Sequence, residues 1–137
     1  MYGRDDDTWD RLAEAGLDFL IDRARRKRTT SYTELNAVLV RRTGITGFDF
    51  ERADERAAMG HLLGLIVDRI YPDTRLMISA LVQYLDANDA GPGFYTYAKQ
   101  LGLLAQGASR QQQWEFWIEH VAALHDHYDP SGHTARR

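Results

Sequence analysis

Residues Leu76–Tyr97 read LMISALVQYLDANDAGPGFYTY, and the conformation of this stretch decides the fold. Its first ten residues, Leu76–Leu85, hold one Ser and one Gln and are otherwise apolar or aromatic. So dry a run belongs either to a strand covered on both faces or to a buried helix segment. Alternation at period two favours the strand. Leu76, Ile78, Ala80, Val82 and Tyr84 fall on one side, with Met77, Ser79, Leu81, Gln83 and Leu85 on the other. The run stops in residues 86–93, DANDAGPG, a dense cluster of turn formers, and Phe94, Tyr95 and Tyr97 follow at once. The expectation is a central strand, a tight polar loop and an element that returns to the core.

On the amino-terminal side the pattern is helical. Trp9, Leu12, Ala13, Gly16, Leu17, Leu20, Ile21 and Ala24 form an apolar face at helical spacing, and the last turn is basic, as suits the negative end of a helix dipole. Ser31 and Glu34 stand three apart, the spacing of a capping box, and open a short helix from about Tyr32 to Arg42 that Thr43-Gly44 ends. Asp49 or Asp54 can cap a third helix, which carries Met59, Leu62, Leu63, Ile66, Val67 and Ile70 and ends at Tyr71-Pro72. One edge of that helix is small: Ala53, Ala57, Gly60 and Gly64. Interior helical glycines cost roughly 1 kcal/mol each relative to Ala. Close approach of another element at that edge is the expected compensation.

Beyond the turn cluster, Phe94, Tyr97, Ala98, Leu101 and Leu104 fit a helix of two to three turns. Ser109 and Gln112 form a second capping box, and Trp114, Trp117, Ile118, Val121 and Leu124 give the last helix its buried face. Asp129-Pro130 stops it. Residues 1–8 and 130–137 are expected to be flexible ends around one domain at 9–129. Its core is expected to gather Leu20, Leu35, Leu39, Leu63, Ile66, Ile78, Leu81, Val82, Leu101, Trp117 and Val121. The fold class is α+β and mostly helical: a winged-helix-like module of about five helices with a small antiparallel sheet.

Composition narrows function by exclusion. At 137 residues, with 44% hydrophobic and 27% charged residues, the chain has the make-up of an ordinary globular domain. It has no cysteine, which removes disulfides, thiolate zinc sites and cysteine nucleophiles together. No apolar run is long enough for a membrane span, and the acidic start carries no secretory signal, so a cytoplasmic address is expected. His125 and His127 point about 200° apart on a helix and cannot chelate one metal together. Gly91-Pro-Gly93 lacks the spacing of a phosphate loop, and no nucleophile elbow or paired carboxylates stand out. No catalytic residue, metal or cofactor is expected.

Two stretches carry a likeness. Arg28-Thr-Thr-Ser-Tyr-Thr-Glu-Leu-Asn-Ala-Val-Leu39 resembles the "T-T-Y-G-E-L-A" helix opening in the DNA-binding domain of alkylguanine-DNA alkyltransferases and their alkyltransferase-like relatives. Glu55-Arg-Ala-Ala-Met-Gly-His-Leu-Leu63 is similar to that domain's "A-R-A-V-G-x-A-L" recognition helix, with one extra residue between Arg56 and Gly60. The resemblance implies a winged-helix DNA-binding domain in which Arg56 enters the duplex and Tyr32 presses on the target phosphate. The family's Pro-Cys-His-Arg centre is absent, so alkyl transfer is excluded.

The first functional expectation is therefore a non-catalytic nucleic-acid-binding module, regulatory or accessory, with DNA as its partner. Arg25, Arg26, Lys27 and Arg28 would meet phosphates beside the amino end of the helix opened by Ser31 and Tyr32. Arg41, Arg42, Arg52 and Arg56 would extend that surface, and Asn88 would reach a groove from the loop. Against this, the net charge is −3, whereas a dedicated DNA binder carries a basic balance. Fifteen of the seventeen basic residues are arginine, which a GC-rich genome also produces. The alternative is a protein-interaction module, self-associating or binding a larger partner through its aromatics. A small-ligand or hydrolytic site under the 86–93 loop is the reserve reading.

Overall fold

A computed structural model describes residues 1–85 and 87–130. Five α-helices carry the fold: α1 (Asp6–Arg25), α2 (Tyr32–Thr43), α3 (Ala53–Thr74), α4 (Pro92–Gln100) and α5 (Arg110–His127). Two short strands, β1 (Thr30–Ser31) and β2 (Val82–Gln83), pair in parallel with Thr30 opposite Val82 and Ser31 opposite Gln83. The sheet is thus parallel where an antiparallel one was expected. The intervening α2 and α3 are the crossover that a parallel pair requires. Gln83 and Ala90 add one isolated antiparallel bridge. No helix among the described residues is long and apolar enough to cross a membrane.

The dry run is not the long strand that its alternation suggests. Ile78–Leu81 form a 3₁₀ turn, and only Val82–Gln83 are extended in a ladder. The burial expected for the run is met in its middle, where Met77, Ile78, Ala80 and Leu81 are wholly enclosed and Val82 is at 1%, while Leu76, Gln83, Tyr84 and Leu85 are half-buried. Its backbone is satisfied by side chains instead of neighbouring strands. Met77 N–H donates to Nε2 of His120 at 2.7 Å, and Nε1 of Trp117 donates to the Ala80 carbonyl at 2.8 Å. With helices on every side, a ten-residue strand would have left a row of buried amides unpaired. The turn avoids that cost, and it packs against α1, α3 and α5.

Local signals set most of the helix ends. Ser31 accepts from the Glu34 amide, and α2 closes at Gly44 in the left-handed region, φ 74°. The expected capping box is only half made there, because the Glu34 carboxylate takes the Thr30 hydroxyl and Arg23. The Ser109–Gln112 box is complete. Helix α1 begins at Asp6, capped by Asp5, earlier than the apolar periodicity marks. Arg4 there forks onto the Glu55 carboxylate at 3.1 Å, and Nε1 of Trp9 donates to the Met1 carbonyl. Helix α3 is capped by neither aspartate expected to do so; Arg52 holds the cap position without a side-chain bond. Pro72 sits inside the last turn of α3, which runs on to Thr74 and closes at Arg75 in the left-handed region. Residues 131–137, which fall within the expected flexible tail, lie outside the described residues.

The core gathers nine of the eleven residues expected in it, while Leu101 and Val121 are half-buried. On α5 the buried face is Trp117, His120 and Leu124, and Trp114 and Ile118 are exposed. That corrects the expected stripe by a fraction of a turn. Helices α1 and α2 run antiparallel, since Arg11 reaches the Thr43 carbonyl while Arg23 reaches Glu34.

Candidate ligand-binding groove

Two glycines on α3 are the starting point. Gly60 and Gly64 lie four residues apart and share a helix face. A Cβ built on either meets no atom within 4 Å. The close packing expected to offset these glycines is therefore absent, and what lies over them is open space. That space is a cavity of about 300 Å³ bounded by α3, the start of α4, the 3₁₀ turn and Tyr32. Across from the glycines stand Gly93, Phe94 and Tyr97 of α4, and Met77, Ser79 and Val82 line it from the turn and β2.

The sequence around α4 explains how this wall is placed. Gly91 holds the cap position without a side-chain bond, and Pro92, which has no N–H to leave unpaired, takes the first helical position. A Cβ on Gly91 would stand 3.0 Å from the Tyr84 ring and 3.3 Å from the Tyr32 hydroxyl. A side chain there would require the two tyrosines to give by a few tenths of an ångström. The Asp89 carboxylate accepts the Ala90 amide and the Tyr95 hydroxyl, which fixes the turn behind the wall. The Gly93 amide, second in the helix, has no acceptor within it.

Polar groups inside the cavity are few. Ser79 is 5% exposed and Tyr32 is 5% exposed, and both line it. Among the described residues neither hydroxyl has a hydrogen-bond partner, and neither is sealed off from space. Burial pushes the Tyr32 hydroxyl up to about 12, so it stays protonated and able to donate. Its ring is fixed edge-on to Tyr84 at 5.1 Å and tilted on Phe50 at 5.4 Å. At one end the Tyr97 hydroxyl donates to Asp68, whose carboxylate raises it to about 12. His61 lines the cavity with its ring set edge-on to Trp9 at 4.7 Å. No Lys or Arg lines it.

This arrangement offers shape and hydrogen bonds. Seven residues separate His61 from Asp68, about 10 Å along α3, so the carboxylate cannot orient the imidazole. Ser79 is not hydrogen-bonded to His61. Among the described residues no three His, Asp or Glu side chains come together as a metal site.

The residues expected from sequence to bind nucleic acid fall in several places. Arg25, Arg26, Lys27 and Arg28 share the corner where α1 ends. Arg26 pairs with Asp22 at 3.1 Å and Lys27 with Asp129 at 3.2 Å, while Arg25 and Arg28 are exposed and have no carboxylate partner. Ser31 is used as the α2 cap, and Tyr32 is buried and lines the cavity instead of standing on the surface. Arg41 and Arg42 lie near the far end of α2, about 14–15 Å along the helix from Tyr32. Arg52 pairs with Asp54 at 2.6 Å, and Arg56 donates to the Phe50 carbonyl at 2.7 Å. Asn88 accepts from Gln83. Only the four residues of the α1 corner and Ser31 are neighbours in one place. Ser79, Gly60, Gly64, Gly93 and Phe94 were not singled out together from sequence. The available signal was a pair of helical glycines at the spacing of one turn, plus one serine in a dry run.

Compared with protein-family models, curated proteins and solved structures, the chain matches none of them.

Proposed function

We propose that this chain is a non-catalytic recognition module whose working surface is the groove between α3 and α4. The observation that carries this reading is that Ser79 and Tyr32, both largely buried, line an apolar cavity with hydroxyls that have no hydrogen-bond partner among the described residues. Because neither hydroxyl is sealed off, a ligand with matching donors and acceptors exchanges their hydrogen bonds to solvent for fixed ones while burying its apolar body against the cavity wall. The glycines of α3 add to it, because they forgo helix stability while leaving space.

Indole is a suitable first probe, being flat, uncharged and able to donate one hydrogen bond. Its titration into isotope-labelled protein is expected to shift the Gly60 and Gly64 amide resonances saturably, and Gly64→Leu is expected to abolish the response. An unsaturable or unlocalised response would remove the groove as the working surface. The same glycines give a stability prediction. Gly60→Ala and Gly64→Ala should each raise stability by up to about 1 kcal/mol, since a methyl group meets nothing there and Ala favours the helix. Urea unfolding measures this directly, and destabilisation would mean that packing requires the glycines.

A second reading keeps the basic corner as a nucleic-acid contact and the alkyltransferase-like resemblance as its guide. It is favoured by Arg25 and Arg28, exposed and unpaired with carboxylates beside the amino end of α2. Each phosphate contact adds about one unit to the slope of log affinity against log salt. Changing Arg25, Arg26 and Arg28 together to Ala should flatten that slope for duplex DNA while barely altering folding, because exposed charges contribute little to stability. An unchanged slope, or no saturable binding by the wild type, removes the corner from any binding role.

A further inference from the structure

We infer that the groove takes an uncharged, flat heteroaromatic ligand bearing a carboxamide-like edge, an inference that rests on the groove being the working surface. Charge is the first argument. Among the described residues no Lys or Arg lines the cavity, so an anion would be desolvated with no permanent cation to meet it. Among the described residues the one carboxylate lining it, Asp68, is exposed and already accepts the Tyr97 hydroxyl. An amine drawn to Asp68 would sit at the open end and leave Ser79 and Tyr32 unmet.

Shape is the second argument. One wall is a helix face stripped to backbone at Gly60 and Gly64, and the other presents Phe94 and Tyr97. A space between a bare helix face and two aromatic rings suits a planar body better than a branched one. Its volume, about 300 Å³, is at the small end for ligand sites. The third argument is the polar complement. Hydroxyls both donate and accept, and the Gly93 amide donates. A carboxamide or lactam edge offers one carbonyl and one N–H to such a set. A carboxylate offers only acceptors and brings the uncompensated charge.

Three matched probes separate the possibilities: quinoline-3-carboxamide, quinoline-3-carboxylate and 3-(aminomethyl)quinoline, titrated into the labelled full chain. The carboxamide is expected to move the Gly60, Gly64 and Gly93 amides saturably, with the two charged probes weaker by about tenfold or more. Ser79→Ala is expected to weaken the carboxamide by about tenfold, the loss of one buried hydrogen bond. Gly64→Leu, or Gly60→Leu should the first fail to fold, is expected to abolish the response. Tighter binding of the carboxylate or the amine at the same glycines would overturn the ligand class and leave the groove as the working surface. Silence of these glycines with all three probes at millimolar concentration would overturn both. Unchanged carboxamide affinity in Ser79→Ala would overturn the assigned polar edge.

Discussion

Replacing Leu81 with Ala is expected to cost about 2–5 kcal/mol of folding stability. Leu81 is wholly enclosed at the end of the 3₁₀ turn, where α1, α3 and α5 meet. The cost of such a truncation depends on how far the surroundings can close over the void. Here they are held. The turn's backbone is pinned from α5 by His120 at Met77 and by Trp117 at Ala80. Neither the turn nor α5 can shift inward without breaking a buried hydrogen bond. The loss should therefore fall in the upper half of the range. Urea unfolding of the wild type and variant checks it, and a loss below about 1 kcal/mol would contradict the enclosure of this side chain.

Acid is expected to remove roughly 3 kcal/mol of stability through His120 alone. Burial holds its imidazole well below the ordinary value of 6.5, at about 4. Its Nε2 must also stay unprotonated to accept the Met77 amide. The sign follows from which state takes the proton. Above about pH 6.5 the group is neutral in both the folded and unfolded chain, and its contribution is complete. As pH falls towards 4 the unfolded chain binds a proton that the folded one refuses, so stability drops across that window. Below it both forms are protonated and the loss is finished. The carboxyls of Asp5 and Glu55, held below their ordinary 3.8 and 4.5 by hydrogen bonds from Thr8 and Arg4, weaken the fold only at lower pH. His120→Gln keeps an acceptor for Met77 but cannot titrate. Stability followed from neutral pH to about pH 4.5 should fall steeply in the wild type and much less in the variant. Parallel curves would show that His120 titrates normally.

Burial was more legible in the sequence than backbone geometry. The apolar run at 76–85 announced that it would be enclosed, and Leu81 and Ile78 are. Whether it would be strand or turn depended on what could satisfy its amides, and those partners lie some forty residues away on α5. His120 illustrates the same limit. A histidine reads as polar, so the inward face of α5 was placed through Trp114 and Ile118 instead. Its tertiary task as an acceptor turns the helix by part of a turn. Caps, by contrast, are decided within three residues, and Ser31, Gly44 and Ser109 stand where local chemistry puts them. The candidate site was the least legible. The resemblance implies a Tyr32 that presses on a target phosphate, yet the side chain is buried and lines the cavity. Gly60 and Gly64 were noticed too, but whether a helical glycine faces a neighbour or a void is a property of the assembled fold.

The two-pair ladder between β1 and β2 has a kinetic consequence. It joins Thr30–Ser31 to Val82–Gln83, so it closes a long loop in return for very few contacts. The α1–α2 pairing is made between near neighbours in the chain, whereas this closure joins residues about fifty positions apart and is expected later in folding than that local pairing. Tyr32 directly follows β1, Val82 opens β2, and Ser79 lies one turn before it. The groove is thus completed only when this seam closes, and it is lost when the seam opens. A ligand seated there would act as a latch on that seam. Its signature is a slower rate of unfolding with little change in the rate of folding, because its contacts do not yet exist at the barrier.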